Sequence, residues 1–378
     1  VGSLLYLLIS YITKGDLINR IGYKNSLALG LAISALGTLL FYPAANSGSF
    51  PLMLSGLFTV GLGFSLQQTV ANPLAIALGP ITTGSQRLTL AGGVNNLGTT
   101  IGPLIVSFAI FGSATSSNTT LDIESVKIPY LILGAAFLLV AVFLKFSSLP
   151  DKPEAVVESD DSISNDRGHA LKYPQLILGM IAIFVYVGVE VSTASNLPAY
   201  MEKDLGFLTK DIAPYISLYW ASLMIGRWAS SAGSFNVAVG TKKALRFVLP
   251  LVAFGVYLLV NSVRYKEGGL SLDFGAVEKF YGYVAMVGVL IGVDYMSKGN
   301  PARQLLIYSV CGMVALMVGI FNGGSLAAIA FVSVGLFCST LWPCIFTLAI
   351  AGLGNKMSKA SNYLIMMIMG GGVVSVLQ

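Results

Sequence analysis

Long apolar runs separated by short polar stretches dominate this chain. Residues 1 to about 13 form the end of one run, and further runs lie at about 26–44, 51–78, 88–112 and 128–148. The stretch 149–173 breaks the pattern. It carries Asp151, Glu154, Glu158, Asp160, Asp161 and Asp166 and has no apolar periodicity, so it reads as a linker. Runs resume at about 174–200, 211–233, 244–262, 277–297, 303–321 and 325–351, and a last one begins near 360. A membrane span needs about 20 apolar residues, so the pattern predicts about ten whole transmembrane helices and two partial ones. The expected organisation is an N-terminal membrane half at 1–148, a linker at 149–173 and a C-terminal half at 174–378.

Composition sharpens this picture. Hydrophobic residues make up 55% of the 378 positions, charged residues 10%, and the mean hydropathy is +0.79. A soluble domain carries roughly a quarter charged residues, so an ordinary soluble enzyme and a disordered chain are both excluded. The 42 glycines suit helices packed backbone to backbone. The net charge of +5 asks for no nucleic acid, because the basic residues lie in short loops between runs. If the loop around Lys14, Arg20 and Lys24 is cytoplasmic and the sides alternate, sixteen of the 22 Lys and Arg fall on that side. This predicts a multi-pass protein of the inner membrane with its 149–173 linker in the cytoplasm. Asp294 lies at the cytoplasmic end of its run, where water is expected to reach it.

Cys311, Cys338 and Cys344 lie in apolar runs without ligand spacing, and His169 is the only histidine. No metal site, cofactor or histidine-based triad is expected. Phosphate-binding and zinc-protease motifs are absent as well, so no enzyme is expected.

Polar groups at membrane depth are costly and are functional candidates by default. Gln67, Gln68 and Asn72 lie mid-run, and Gln68 and Asn72 share a helix face. Pro73 lacks an N–H and frees a carbonyl one turn earlier. A bent helix with amides on its inner face suits a cavity that reads hydroxyl groups; the bland reading is hydrogen bonding that only holds helices together. Arg87, Asn95 and Asn96 follow on the next run, among Gly92, Gly93, Gly98 and Gly102. Glu190 is an isolated carboxylate near the middle of a run and a candidate proton or cation site, or else a structural partner for a cap or for Arg227. Asn196, Tyr219, Trp342, Asn362 and Tyr363 are further candidates for lining a cavity. Trp342 offers a ring face for the apolar side of a sugar and an N–H to donate. Arg227 is expected to gate or to form a structural ion pair.

Several segments carry a family resemblance. Gly15-x-Leu17-x5-Gly22-Tyr23-Lys24 is similar to the loop between the second and third helices of the major facilitator superfamily, where Gly15 and Asp16 take gating positions. Ala71-Asn72-Pro73-x4-Leu78-Gly79-Pro80, Arg87-Leu88-x-Leu90-Ala91 and Asn95-x-Leu97-Gly98 resemble the fucose–glucose/galactose symporter family within it. Pro343-x-Ile345-Phe346, Leu353-Gly354 and Gly370-Gly371-Gly372 continue the resemblance late in the chain.

The resemblance implies an all-α fold of two pseudo-symmetric helix bundles around a cavity, working by alternating access. It also implies a chain cut at both ends, running from helix two into helix eleven, with an inserted helical pair at about 244–297. Val1 inside one run and Gln378 inside another agree with such a piece. Gln68 stands where the fucose branch has a proton-handling Glu, Gly92 where it has a sugar-binding Gln, and Trp342 where it has a cavity Tyr. An amide cannot titrate, which leaves Glu190 as the candidate for coupling.

The expected function is secondary active transport of a hexose or related sugar by a monomer in the lipid bilayer, coupled to a proton or to sodium. Gln67, Gln68, Asn72, Asn95, Asn96, Asn196, Tyr219, Trp342 and Asn362 are the expected substrate contacts. Arg87, Arg227, Pro73, Gly15 and Asp16 are the expected gating or structural residues. The alternatives are transport of an organic acid or amino-acid-like solute, which would use Arg227, and a non-transporting membrane sensor.

Overall fold

The protein is described by a computed structural model at residues 2–12, 17–111, 127–148, 150, 170–266 and 269–378. Gly15, Asp16 and most of the acidic stretch at 149–173 lie outside the described residues. The apolar runs fold as α1 (Gly2–Ile12), α2 (Leu17–Ile21), α3 (Tyr23–Leu39), α4 (Phe41–Ser47), α5 (Phe50–Ala77), α6 (Gly84–Phe111) and α7 (Lys127–Phe146). Then come α8 (Pro174–Lys203), α9 (Thr209–Ser231) and α10 (Val239–Ser262). A short antiparallel hairpin follows, β1 (Val263–Lys266) with β2 (Gly269–Leu272), Val263 facing Leu272. The remaining helices are α11 (Val284–Ser297), α12 (Pro301–Phe321), α13 (Gly324–Cys338), α14 (Leu341–Ile350), α15 (Met357–Met366) and α16 (Gly370–Leu377). Among the described residues, nine helical segments are long and apolar enough to cross a membrane.

Local chemistry sets the breaks. Gly48 ends α4 in the left-handed region at φ 59°. Lys298 and Gly299 turn the chain at φ 52° and 72°, and the Asn300 side chain then accepts from the Ala302 and Arg303 amides to start α12 behind Pro301. The run expected at 277–297 enters through a 3-10 segment, Phe274–Tyr283, before α11. The run expected at 325–351 is two helices, α13 and α14, parted at Ser339 and Thr340.

The chain divides into two compact units. Unit 1 holds residues Val1–Leu78, Ile105–Ile177 and Ile350–Met366. Its centre is α3 packed on α5 and α7. A Cβ on Gly37 would lie 2.5 Å from the Val60 nitrogen, and one on Gly134 would lie 2.8 Å from Thr38 Oγ1. The glycines here thus bring backbones together where lipid offers no hydrophobic drive. Ser34 Oγ donates to the Val60 carbonyl at 3.3 Å across the same seam, and Phe41 stacks on Tyr130 with ring centres 4.0 Å apart.

Unit 2 holds Gly79–Leu104, Leu178–Ala349 and Met367–Gln378. Here α9 packs on α10 and α13, and α13 packs on α12. A Cβ on Gly335 would lie 2.5 Å from the Tyr219 carbonyl, so α9 and α13 touch at the height of Tyr219. Ser222 Oγ and Tyr283 OH share a hydrogen bond at 2.9 Å, and Asn261 Nδ2 donates to Ser217 Oγ at 3.0 Å. These bonds tie the α10 to α11 region to α9.

Candidate functional site

In unit 2, α6, α8, α9 and the α13–α14 break converge on a polar centre. Tyr186 and Glu190 lie one turn apart on α8, and the Tyr186 hydroxyl donates to the Glu190 carboxylate. Tyr219 is fully buried on α9, and its hydroxyl donates to the Glu190 backbone carbonyl at 2.8 Å. Two phenols from two helices therefore fix this turn of α8 and its carboxylate.

Arg227, two turns beyond Tyr219 on α9, uses its guanidinium as a fork. Nη1 donates to Asn96 Oδ1 at 3.0 Å and to the Gly92 carbonyl at 3.2 Å. Nε donates to the Ser339 carbonyl at 3.0 Å. That carbonyl is available for a reason written in the sequence: Pro343, four residues on, has no N–H to give it. Arg227 thus joins α6 to a proline-broken helix. The Arg227 side chain lies close over Gly92, where a Cβ would sit 3.1 Å from Nη1.

Unit 1 has its own polar centre. Pro73 lies inside α5 and withholds an N–H from the Thr69 carbonyl, which instead accepts from Ser361 Oγ on α15 at 2.8 Å. Asn362, fully buried beside it, donates to the Ser3 carbonyl at 2.7 Å and accepts from Thr69 Oγ1 at 3.4 Å. Gln67 Nε2 donates to Ser34 Oγ at 2.9 Å, joining α5 to α3. Asn72 Nδ2 is buried with no partner among the described residues. Gln68 is half-buried.

The expected site residues thus fall into groups. Glu190, Tyr219, Arg227 and Asn96 cluster within unit 2. Gln67 and Asn362 serve as interhelical ties, the bland reading of such amides. Asn95 points away from the buried side taken by Asn96 and is exposed. Asn196 Nδ2 donates to Gln378 Oε1 at 2.8 Å, and Trp342 stacks on Phe346 with ring centres 5.9 Å apart. Arg87 clamps the loop before α6: Nη1 donates to the Pro80 carbonyl at 3.0 Å and to Thr83 Oγ1 at 2.6 Å, and Nη2 to the Gly79 carbonyl at 3.0 Å.

Two expectations change. Asp294, expected in water, is 3% exposed and held by donors from α9 and α12. Tyr186 was not among the candidates, although its spacing of four from Glu190 is a legible signal.

Among the described residues, a chain that is helical apart from one short hairpin, with repeated membrane-length helices and buried polar groups within them, defines a polytopic membrane protein with built internal sites. Comparison with known proteins narrows the class. Residues 1–263 match the family model of the Major Facilitator Superfamily. A glucose/galactose transporter of Brucella abortus biovar 1 (strain 9-941) is 30% identical over 376 residues, covering 99% of this chain and 75% of that protein. The L-fucose-proton symporter of Escherichia coli K12 is 26% identical over 383 residues, covering 96% of this chain and 73% of that one. In fold, the chain matches a crystal structure of the transporter FucP in the outward conformation, with a TM-score of 0.66 and 23% identity over 95% of this chain and 76% of that one. The chain belongs to the Major Facilitator Superfamily and is a multi-pass membrane protein. Its relatives are transporters, not enzymes.

Proposed function

We propose that this protein moves a hexose or a related sugar across the inner membrane by alternating access, as a monomer, coupled to a proton. The 30% identity to a glucose/galactose transporter over nearly the whole chain carries this reading. The polar geometry supports it. Glu190 is a membrane-depth carboxylate bonded by the neutral Tyr186 phenol, while Tyr219 holds its backbone carbonyl, which suits a group that takes and gives a proton. Gln68 and Asn72 in unit 1, and Asn95 and Trp342 in unit 2, are the residues we assign to sugar hydroxyls and ring faces. Arg227 binds Asn96, Gly92 and Ser339 through Nη1 and Nε, and we assign it a structural gating role. The linker at 149–173 lies on the cytoplasmic side in this reading, with the basic loops.

The test is uptake of labelled hexose by the purified protein in liposomes under an imposed pH gradient, with and without sodium. Accumulation driven by the pH gradient alone is expected. Accumulation that needs sodium would replace the proton by that ion. No uptake across a broad sugar panel by folded protein would overturn the sugar reading.

A further inference from the structure

A second buried carboxylate lies against the C-terminal end of α9, at Ser230, outside the centre around Glu190. Asp294 on α11 is 3% exposed, in a helix otherwise apolar over most of its length. Three donors meet its Oδ1: the Ser230 hydroxyl from α9, Gln304 Nε2 from α12 at 3.2 Å and the Tyr308 hydroxyl from α12 at 3.4 Å. The Arg246 guanidinium on α10 stands 3.9 Å from Oδ2. These contacts fix the carboxylate in place, and it holds its donors in turn.

The contacts continue past Asp294. Gln304 gives its amide N–H also to Ser230 Oγ at 2.6 Å, while its Oε1 accepts from the Cys344 thiol on α14 at 3.5 Å. The Cys344 sulfur lies 3.8 Å from Ser85 Oγ on α6. The next residue, Gln86, is wedged between two glycines. A Cβ on Gly299 would lie 2.6 Å from its Nε2, and one on Gly233 would overlap its amide. Gln86 Oε1 is buried there with no partner among the described residues. Its seat is therefore one of shape, set by Gly299 just beyond α11 and by Gly233 just beyond α9. The same Gly299 faces Arg246 Nη2.

We propose that Asp294 is a positioning residue for transport. It latches the α10–α11 pair to α9 and α12 and so keeps the start of α6 seated against α14 and the Gly233–Gly299 cradle. This end of unit 2 opens in the cycle only as that latch shifts. Side chains from α9, α10 and α12 meet at this one carboxylate, α14 reaches its partner Gln304 through Cys344, and α6 reaches Cys344 through Ser85, which gives the α10–α11 pair a mechanical task. The proposal rests on the transport reading for its role in the cycle, but the latch itself is testable without any substrate.

Cys344 is a built-in reporter, because it is fully buried beneath Gln304 and Ser85. Cys338 is also buried but lies outside this set of contacts, so it serves as an internal control. The experiment follows alkylation of each thiol by a hydrophilic maleimide in proteoliposomes, read by mass spectrometry, for the native protein, Asp294→Ala, Asp294→Asn and Arg246→Gln.

The latch predicts that Cys344 reacts about tenfold faster or more in Asp294→Ala, since that change strands three buried donors at once. Cys338 stays at its native rate, and Asp294→Asn and Arg246→Gln fall between native and Ala. In hexose uptake, the same variants change the maximal rate and leave KM within about twofold, because the substrate contacts are untouched. An unchanged Cys344 rate in both Asp294→Ala and Arg246→Gln overturns the latch. So does an equal rise at Cys344 and Cys338, which would mean general loosening. If Cys344 responds as expected while the native protein takes up no sugar, the latch stands and the sugar reading falls.

Discussion

Each unit contains a helix interrupted by proline, and the two solve the same problem with different chemistry. In α5 of unit 1, Pro73 strips a partner from the Thr69 carbonyl, and the Ser361 hydroxyl replaces it. Between α13 and α14 of unit 2, Pro343 strips a partner from the Ser339 carbonyl, and the Arg227 guanidinium replaces it. A carbonyl left bare at membrane depth is costly, so both substitutes stabilise the break. A hydroxyl is neutral and has one proton to donate. A guanidinium brings a charge and further donors, and Arg227 spends them on Asn96 and Gly92 of α6. The unit 1 break is therefore tied to α15 alone by a neutral bond. The unit 2 break is wired to a neighbouring helix and sits in the same unit as Glu190, the carboxylate we assign to coupling.

Substitutions put that contrast to the test. The largest effect is expected at Glu190. Glu190→Gln keeps an acceptor for Tyr186 but cannot carry a proton, so hexose accumulation driven by a pH gradient falls to passive equilibration while exchange of labelled for unlabelled sugar continues. Equal loss of both in liposome assays would remove Glu190 from coupling.

Next comes Arg227→Gln, which leaves Asn96 and the Ser339 carbonyl short of donors. Thermal unfolding in detergent should show a loss of about 2–3 kcal/mol, the cost of abandoned buried partners of a charged group. In a Pro343→Ala background the regained N–H serves the Ser339 carbonyl, and the same substitution should cost measurably less.

Ser361→Ala probes the neutral counterpart. Its expected cost is about 1 kcal/mol, nearer the average for a hydrogen bond between membrane helices. Pro73→Ala should suppress most of that cost by returning an N–H to the Thr69 carbonyl. A cost at Ser361 equal to that at Arg227 would erase the distinction between the two repairs.

The smallest effect on stability belongs to Asn95→Ala, which is exposed and should shift unfolding by no more than about 0.5 kcal/mol. Its consequence is instead a raised KM for sugar. An unchanged KM would remove Asn95 from the substrate contacts.

How far the sequence could be read follows from the same examples. Apolar runs are a one-dimensional signal, so the helices at 174–203 and 301–321 were legible. Pro73 freeing a carbonyl was legible too, because that consequence lies four residues away in the chain. The group that takes the carbonyl was not, since Ser361 is 292 residues distant. Asn95 and Asn96 look alike in the sequence, and only the neighbouring Arg227 separates an exposed amide from a buried one. Asp294 misled for a related reason. Its place near the end of an apolar run suggested water, while Ser230, Gln304 and Tyr308 from other helices close over it. What one helix dictates was readable; what two helices dictate together was not.

The Thr69–Ser361 bond carries a consequence for how the protein is made. Ribosomes add roughly 5–20 residues per second. With 292 residues between its two halves, the Thr69 carbonyl waits on the order of 15 to 60 s after its synthesis before Ser361 exists. During that interval α5 is already in the membrane with an unpaired acceptor at its proline bend. Nascent unit 1 must therefore be sheltered by the insertion machinery, by water or by a temporary neighbour until α15 arrives. A ribosome stalled just before residue 357 would leave it there, which makes the pairing of α5 depend on a segment synthesised much later.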